Sequence, residues 1–436
     1  MGDVSARSFL RPAILGMGMH VASVRLRRAV RGYPRHAGTA EQILRAGLEA
    51  CWSGRYLTAS PGHYRQLWTR DTGFAAPALV RLGAPHGERL LSTLAWAIDV
   101  WRQRGSHVTT TINPLLRGPV DVFDYGVDSL PLLLASLRSL VDGGGPLASR
   151  AEALAHEHRD WVAAEVEHFV DWVVDPDTGL VRADRHFSAH RDTFRNGTTA
   201  YANTMVALLG RTVAETGWGP DRLSRHFAGG SGSAGGSSSA SGSSSASGSG
   251  TPRGSGGAAR ASAPDWGSLL RRHFWLGDRF RDRLGADETS GETNIWPFFA
   301  GVVEDPGMLA AALATLQAEG YTAPHPLRFQ ASHQPDGMWL LFRLYSADYQ
   351  TTTSWTSLGS IYLSLLREVD PAAAAVELNA MRRLIERDGT FWEVLDQRGE
   401  AWRSRSRLSL SDVSMLWGAI LLETLEHPEG PPLRIA

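Results

Sequence analysis

The stretch HYRQLWTRDTGFAAPALV, residues 63–80, opens as a polar, aromatic loop and turns abruptly into an apolar run at helical spacing. The change falls across Trp68, Arg70 and Asp71, which puts a carboxylate near the start of a buried helix. The same junction recurs along the chain. Apolar residues at helical spacing return in segments near 40–52, 71–82, 87–103, 125–141, 149–174, 198–215, 266–284, 306–319, 335–344, 353–369, 371–387 and 409–425. The loops between them are rich in Gly, Pro, Asp and Trp and often longer than the connections of a compact bundle, a length that usually carries function. Strand-like alternation is scarce, and no fixed repeat period favours a solenoid. This pattern predicts an all-α double ring of six inner and six outer helices, an (α/α)6 toroid in one domain.

The predicted boundaries are an N-terminal arm over 1–38, partly disordered, and the first half of the barrel over 39–228. A flexible insertion over 229–264 follows, then the second half over 265–428 and a C-terminal tail over 429–436. The insertion begins GGSGSAGGSSSASGSSSASGSG and has almost no apolar residue to offset the entropy of ordering it. Both flanks have the same helical, Trp-rich character, so it reads as a surface loop inside one domain.

With 436 residues, 43% of them hydrophobic, the chain can bury a large core, and no apolar run is long enough to cross a bilayer. Net charge is -1, with no basic stripe to gather nucleic acid or an anionic membrane. Lysine is absent, which removes Schiff-base and P-loop lysine chemistry. Cys51 is the single cysteine, so internal disulfides and thiolate-rich metal sites are excluded. In the first segment arginines follow a weakly apolar stretch, the reverse of a secretory signal, and a cytoplasmic location is expected. His156 and His158 in HEH lie two apart on a helical stretch and point to different faces, so they read as solvated surface groups. Neither metal nor cofactor is expected.

Fifteen tryptophans are many for this length, and several flank carboxylates at loop boundaries: Trp68 before Arg70 and Asp71, Trp296 after Glu292 and Asn294, and Trp392 beside Glu393. Such rings fill cores, but they also stack on the apolar face of a pyranose. Hydrolysing a glycosidic bond takes one carboxylic acid to protonate the leaving oxygen and a second carboxylate to activate water or attack the sugar. Asp71 is the first candidate, with an N-cap as its structural alternative. The helix dipole and Arg70 would both lower its pKa, so burial against Trp68 and Phe74 must offset them. Glu393, in TFWEVLD, is the second, since bulky neighbours are an uncommon setting for a solvated carboxylate. Its alternative is a buried pair with Arg403 or Arg405, and Asp396 is its nearest substitute.

On these residues the chain resembles the clan of (α/α)6 inverting glycoside hydrolases. That clan includes processing α-glucosidase I of family 63, mannosylglycerate hydrolases, alkaline and neutral invertases and, more distantly, glucoamylases and amylo-1,6-glucosidases. LWTRDTGF is similar to the clan's W-x-x-D or F-x-R-D motif, which implies that Asp71 is the general acid. TFWEVLD resembles the invertases' P-E-Y-Y-D segment and implies that Glu393 is the base. VFDYGVDSLPLLLASLR is similar to their V-D-S segment, which points to Asp128 and Asp124 as sugar contacts. GETNIWPFFAGV and YQTTTSWTSLGSIYL look like inner-helix segments of the same architecture.

The resemblance covers roughly Tyr56 to Glu423 and implies a carbohydrate substrate, either an α-linked glucoside or a related small saccharide. Further contacts are expected from Trp68, Arg70, Asn203, Asn294, Trp296, Trp355 and Trp392. No partner in nucleic acid or membrane is expected, and the protein is read as a monomer or homo-oligomer. An E-S-G-W-D-F-S signature has no clear counterpart; the nearest segment is HQPDGMWLLF, 333–342. Three other readings stay open: a sugar epimerase of the N-acylglucosamine 2-epimerase type, whose histidines would be sought among His63, His325 and His333; a polysaccharide lyase using Tyr or His with basic groups, which the absence of lysine weakens; and a carbohydrate-binding barrel without catalysis.

Overall fold

A computed structural model of the chain describes residues 26, 30, 32–113, 118–121, 123–192, 194, 198–220, 265–332, 338, 346, 348–404 and 410–435. Six helices are buried nearly all round: Thr69–Arg81, Ser129–Asp142, Ala200–Thr216, the single turn Trp296–Phe299, Thr356–Val369 and Gly418–Glu426. A helix without a polar face needs neighbours on every side. Each of these packs against the next in chain order, and Gly418–Glu426 returns to Thr69–Arg81, so the inner ring closes.

The outer helices are Ala40–Ala50, Ala84–Arg104, the pair Gly145–Glu157 and Arg159–Val173, Trp266–Phe274, Pro306–Ala318 and Pro371–Asp388. Their pattern is amphipathic: Pro371–Asp388 buries Ala374, Leu378, Met381 and Ile385, one stripe at helical spacing. This is the expected (α/α)6 toroid. The ring runs through both chain halves that flank 221–264; the Gly/Ser insertion and most of the N-terminal arm lie outside the described residues.

Several element limits differ from the sequence expectation. The stretch near 149–174 is two helices, because the backbone turns at His158, which is buried and accepts a hydrogen bond at Nδ1 from Arg102 at 2.9 Å. His158 is therefore a packing residue rather than a solvated one, whereas His156 is exposed. The helix beginning at Trp266 stops at Phe274, ahead of a turn at Gly277 with φ of 108°. The last inner helix begins only at Gly418, since before it Leu410 and Val413 bridge Arg403 and Trp392 and the chain then bends at Ser414, whose φ is 55°. The segment near 335–344 lies almost wholly outside the described residues.

The two ends of the ring differ. The C-terminal tail crosses the end where the inner helices finish: Ile435 N–H donates to Phe299 O at 2.8 Å and Leu433 N–H to Ser364 Oγ at 3.0 Å. Arg81 also reaches this tail, donating to Pro431 O at 2.8 Å. At the opposite end, where the inner helices begin, the connections carry short strands. Leu67–Trp68, Thr111–Asn113 and Gly118–Val120 form an antiparallel sheet, Tyr125–Gly126 pairs parallel with Phe187–Ser188, and Ser354–Trp355 pairs antiparallel with Val394–Leu395. These ladders fix the loops over the open mouth. Among the described residues no helix is long and apolar enough to cross a membrane.

Close approach of the first two inner helices rests on Gly73, where a Cβ would meet Leu132 Cβ at 2.5 Å. Alanine normally stabilises a helix interior relative to glycine by about 1 kcal/mol. Here Gly73→Ala is expected to destabilise instead, by about 1–3 kcal/mol, because the helices must separate. Urea unfolding checks this, and an unchanged or raised midpoint would contradict it.

Candidate active site

Asp71 sits in the first turn of helix Thr69–Arg81, whose N-cap is Trp68 and has no side-chain cap. Asp71 is therefore not an N-cap. Its side chain is buried, and burial is the largest influence on its carboxyl: the pKa is pushed up to about 7, against the opposing pull of Arg70, with Glu393 and Asp192 adding to the rise. The conflict between Arg70 and a proton-bearing Asp71 is thus resolved by desolvation.

Glu393 precedes strand Val394–Leu395, and its backbone is clamped on both sides. Its N–H donates to Asp412 O at 2.9 Å, and its carbonyl accepts from Thr356 N–H at 3.1 Å. The buried carboxylate accepts from the Tyr349 hydroxyl at 2.8 Å on Oε1 and from Asp412 N–H at 3.0 Å on Oε2. The Tyr64 side chain interacts with that of Tyr349. Tyr64 feels the charges of Glu393, Asp71 and Asp192, so these carboxyl groups lie in its neighbourhood at the mouth. Asp396, the substitute for Glu393, instead closes a turn by accepting from Arg398 N–H at 2.8 Å and Glu400 N–H at 3.0 Å. Arg403 is exposed and Arg405 lies outside the described residues.

Arg70 is the buried centre of the opposite wall. It bonds Asp192 at 2.9 Å and Ala189 O, and lies 3.8 Å from Asp128. Burial alone would favour its discharge, but Asp192 and Asp128 overcome that and hold it cationic. Asp128 has no exposed surface; burial pushes its pKa up to about 6, and Tyr201 donates to it at 2.9 Å. It was expected to touch sugar hydroxyls, but with no exposure it reaches the space only through Arg70. Asp192, absent from the sequence expectation, is the more open carboxylate, 24% exposed, and accepts from Ser188 at 3.1 Å.

Trp68 borders the same space, with the Arg70 guanidinium 5.9 Å from its ring centroid and Tyr64 edge-on. Trp355 lies against Tyr349, donating its indole N–H to Tyr349 O at 2.6 Å. The other expected sugar contacts fall elsewhere. Asn203 accepts from Val181 N–H and donates to Thr199 O, and Asn294 pins the backbone at Phe280 and Ser290. Trp296 is core, packed on Phe74 and Tyr201. Trp392 faces the outer side, where it meets Tyr33 and donates to Asp388 at 2.8 Å. Asp124 is exposed, apart from these groups. For the amides and the rings the reason is physical: short amide side chains beside backbone breaks satisfy the backbone first, and large rings fill the wall.

His190, also unanticipated, lies buried among Phe74, Phe329 and Trp355, with Nδ1 3.4 Å from Glu292 Oε2. Burial lowers its pKa, so it is held neutral despite that carboxylate. Arg191 beside it bonds Glu292 at 2.7 Å. Of the histidines singled out from sequence, His63 donates its backbone N–H to Asp412 at 2.8 Å, His325 packs by Gly399, and His333 lies outside the described residues. Among the described residues no three His, Cys, Asp or Glu are grouped to hold a metal ion.

No protein-family model matches the chain, and no curated protein matches it by sequence. Solved structures do match by shape. A glycosidase superposes with a TM-score of 0.58 at 15% identity, covering 90% of this chain and 98% of that one. The GH63 mannosylglycerate hydrolase from Thermus thermophilus, in complex with Tris and D-glycerate, gives 0.55 at 13%, covering 89% and 100%. The cellobiose 2-epimerase from Spirochaeta thermophila gives 0.51 at 10%, covering 89% and 97%. The chain therefore has the (α/α)6-barrel fold of these glycosidases, which sugar epimerases share.

Proposed function

We propose that this protein is a glycoside hydrolase in which Glu393 is the general base and Asp71 the general acid. One observation carries the reading: Asp71 is desolvated enough to keep its proton near neutral pH, and the charge of Glu393, whose carboxylate accepts from two donors, adds to that rise. Hydrolysis needs that pairing, one carboxyl protonated and the other charged. In the single-displacement course, Asp71 protonates the glycosidic oxygen while Glu393 takes a proton from water attacking the opposite face of the sugar. Arg70 offsets the negative charge of the wall, and Trp68 offers a flat face to the ring. The substrate class that fits the resemblance is an α-linked glucoside or a related small saccharide.

Asp192 is the second candidate for the acid, favoured by its exposure and its place on Arg70. Substrates with good leaving groups separate the two, because they need little protonation. The acid's asparagine variant should lose about 10²–10⁴-fold in kcat on an unactivated disaccharide and far less on a nitrophenyl glycoside. Asp71→Asn is expected to show that split. If Asp192→Asn shows it and Asp71→Asn slows both substrates equally, the acid is Asp192.

The fold also houses epimerases, and buried, neutral His190 is the residue such chemistry would use first. Solvent-hydrogen exchange into a free aldose, lost in His190→Ala and retained in Glu393→Gln, would support that reading against hydrolysis.

The raised pKa of Asp71 makes two pH predictions. As the acid, it loses its proton through about pH 7, so kcat should fall as pH rises past that point. For stability, its folded pKa lies above the unfolded value near 4, so folding becomes less favourable as pH rises from about 4 and the loss levels off above about 7. Asp71→Asn should therefore unfold at higher urea than wild type at pH 8 and approach it below pH 4. Equal midpoints at both ends would contradict the burial argument. Tyr349→Phe removes one donor from Glu393 and should lower kcat by about 10- to 100-fold with KM little changed, as expected for a bond to a charged group. A change confined to KM would show that Tyr349 binds substrate instead.

A further inference from the structure

A second concave site lies on the outer flank of the barrel, among residues that the candidate active site does not use. It is a pocket of about 550 Å³ between the end of helix Ala84–Arg104 and helix Arg159–Val173, lined by Arg102, His107, Trp161, Glu165 and His168 among others. Pockets that hold small ligands run from about 300 to 1,000 Å³.

Three features make it a built site rather than a crease. Trp161, Glu165 and His168 fall at i, i+4 and i+7, so one helix stripe presents a flat ring, a carboxylate and an imidazole to the same groove. Glu165 is only 9% exposed, and its Oε2 accepts from Val108 N–H at 2.9 Å. Its other oxygen has no hydrogen-bond partner among the described residues. It is not shut off from solvent, so it is open to a donor from a ligand lying in the groove. The groove also carries charge of both signs: Arg102 and His107, whose imidazole bonds Asp121 at 2.6 Å, face the Glu165 side.

These features select the ligand. An anion would meet the open Glu165 oxygen, and an organic cation would meet Arg102 and His107. A hydroxyl both donates and accepts, and a pyranose adds an apolar face for Trp161. We propose that this flank groove is an accessory binding site for a neutral saccharide. It does not depend on which residues catalyse at the mouth. A polar chain nevertheless connects the two regions: Asp121 also accepts from Thr110 N–H at 2.8 Å, and Thr110 O accepts from Thr69 N–H at 3.0 Å, the first residue of the helix that carries Asp71.

The test uses the full chain carrying Asp71→Asn and Glu393→Gln, so that hydrolysis by that pair does not deplete the ligand. Maltotriose, cellotriose and isomaltotriose are titrated separately, with binding read by calorimetry and saturation-transfer NMR. His168→Ala and Glu165→Gln are then added to that background. His168 is exposed, and glutamine keeps an acceptor for Val108, so both variants should fold, which circular dichroism checks. The expected result is binding of at least one trisaccharide that weakens tenfold or more in each groove variant. Binding unchanged by both variants, or no binding of any of the three, overturns the proposal. If groove binding is found while the wild-type chain hydrolyses no glycoside, the catalytic reading fails alone.

Discussion

Six helix N-termini converge on one mouth of the inner ring, and Asp71, Asp128 and Glu393 there are held away from water. The converging dipoles favour negative charge, while the missing solvent disfavours it. At Asp71 the second effect wins, and its pKa rises to about 7 in spite of the adjacent guanidinium. That balance depends on ring closure. Were the inner helices to part, water would enter, and Asp71 beside Arg70 would be an ordinary ionised aspartate. Close contacts such as Gly73 against Leu132, on the same helix as Asp71, therefore bear on protonation at the mouth.

Arg70 organises the wall by holding Asp192 and the Ala189 carbonyl, with Asp128 behind it. A buried guanidinium without partners would cost several kcal/mol, so these groups form a unit that is stable only when complete. On the facing wall Tyr64, Tyr349 and Asp412 do for Glu393 what Arg70 and its partners do for the first wall. Asp71 and Glu393 come from opposite parts of the chain, and closure of the ring by Gly418–Glu426 against Thr69–Arg81 brings those parts together. The tail beyond Glu426 then occupies the other end of the ring, which leaves the mouth as the open face.

Much of this was legible in the residues. Long apolar segments separated by long polar loops indicated the double ring, and the abrupt junction at 63–80 marked Asp71. The short fourth inner helix, Trp296–Phe299, shows no periodicity because a single turn has none. Asp192 carries the same signal as Asp71, a carboxylate in the polar loop just before a buried helix, and could have been found by applying that rule to 185–200. Tyr349, Tyr64 and His190 had no local signature; their roles arise from contacts across the ring. The tryptophans misled for a related reason: Trp296 and Trp392 stand next to polar residues in sequence, yet both are buried, one against Phe74 and Tyr201 and the other against Tyr33 and Asp388. Sequence adjacency says nothing of direction at a loop end.

The central claim is that this barrel hydrolyses a glycosidic bond with Asp71 and Glu393. Proton NMR of the first-formed anomer, across α-linked disaccharides and aryl glucosides, tests it most directly. The account predicts turnover of at least one, with the product anomer inverted at first and then mutarotating, and turnover collapsing in Glu393→Gln and Asp71→Asn. No turnover by the wild-type chain, or turnover unchanged in both variants, would contradict it.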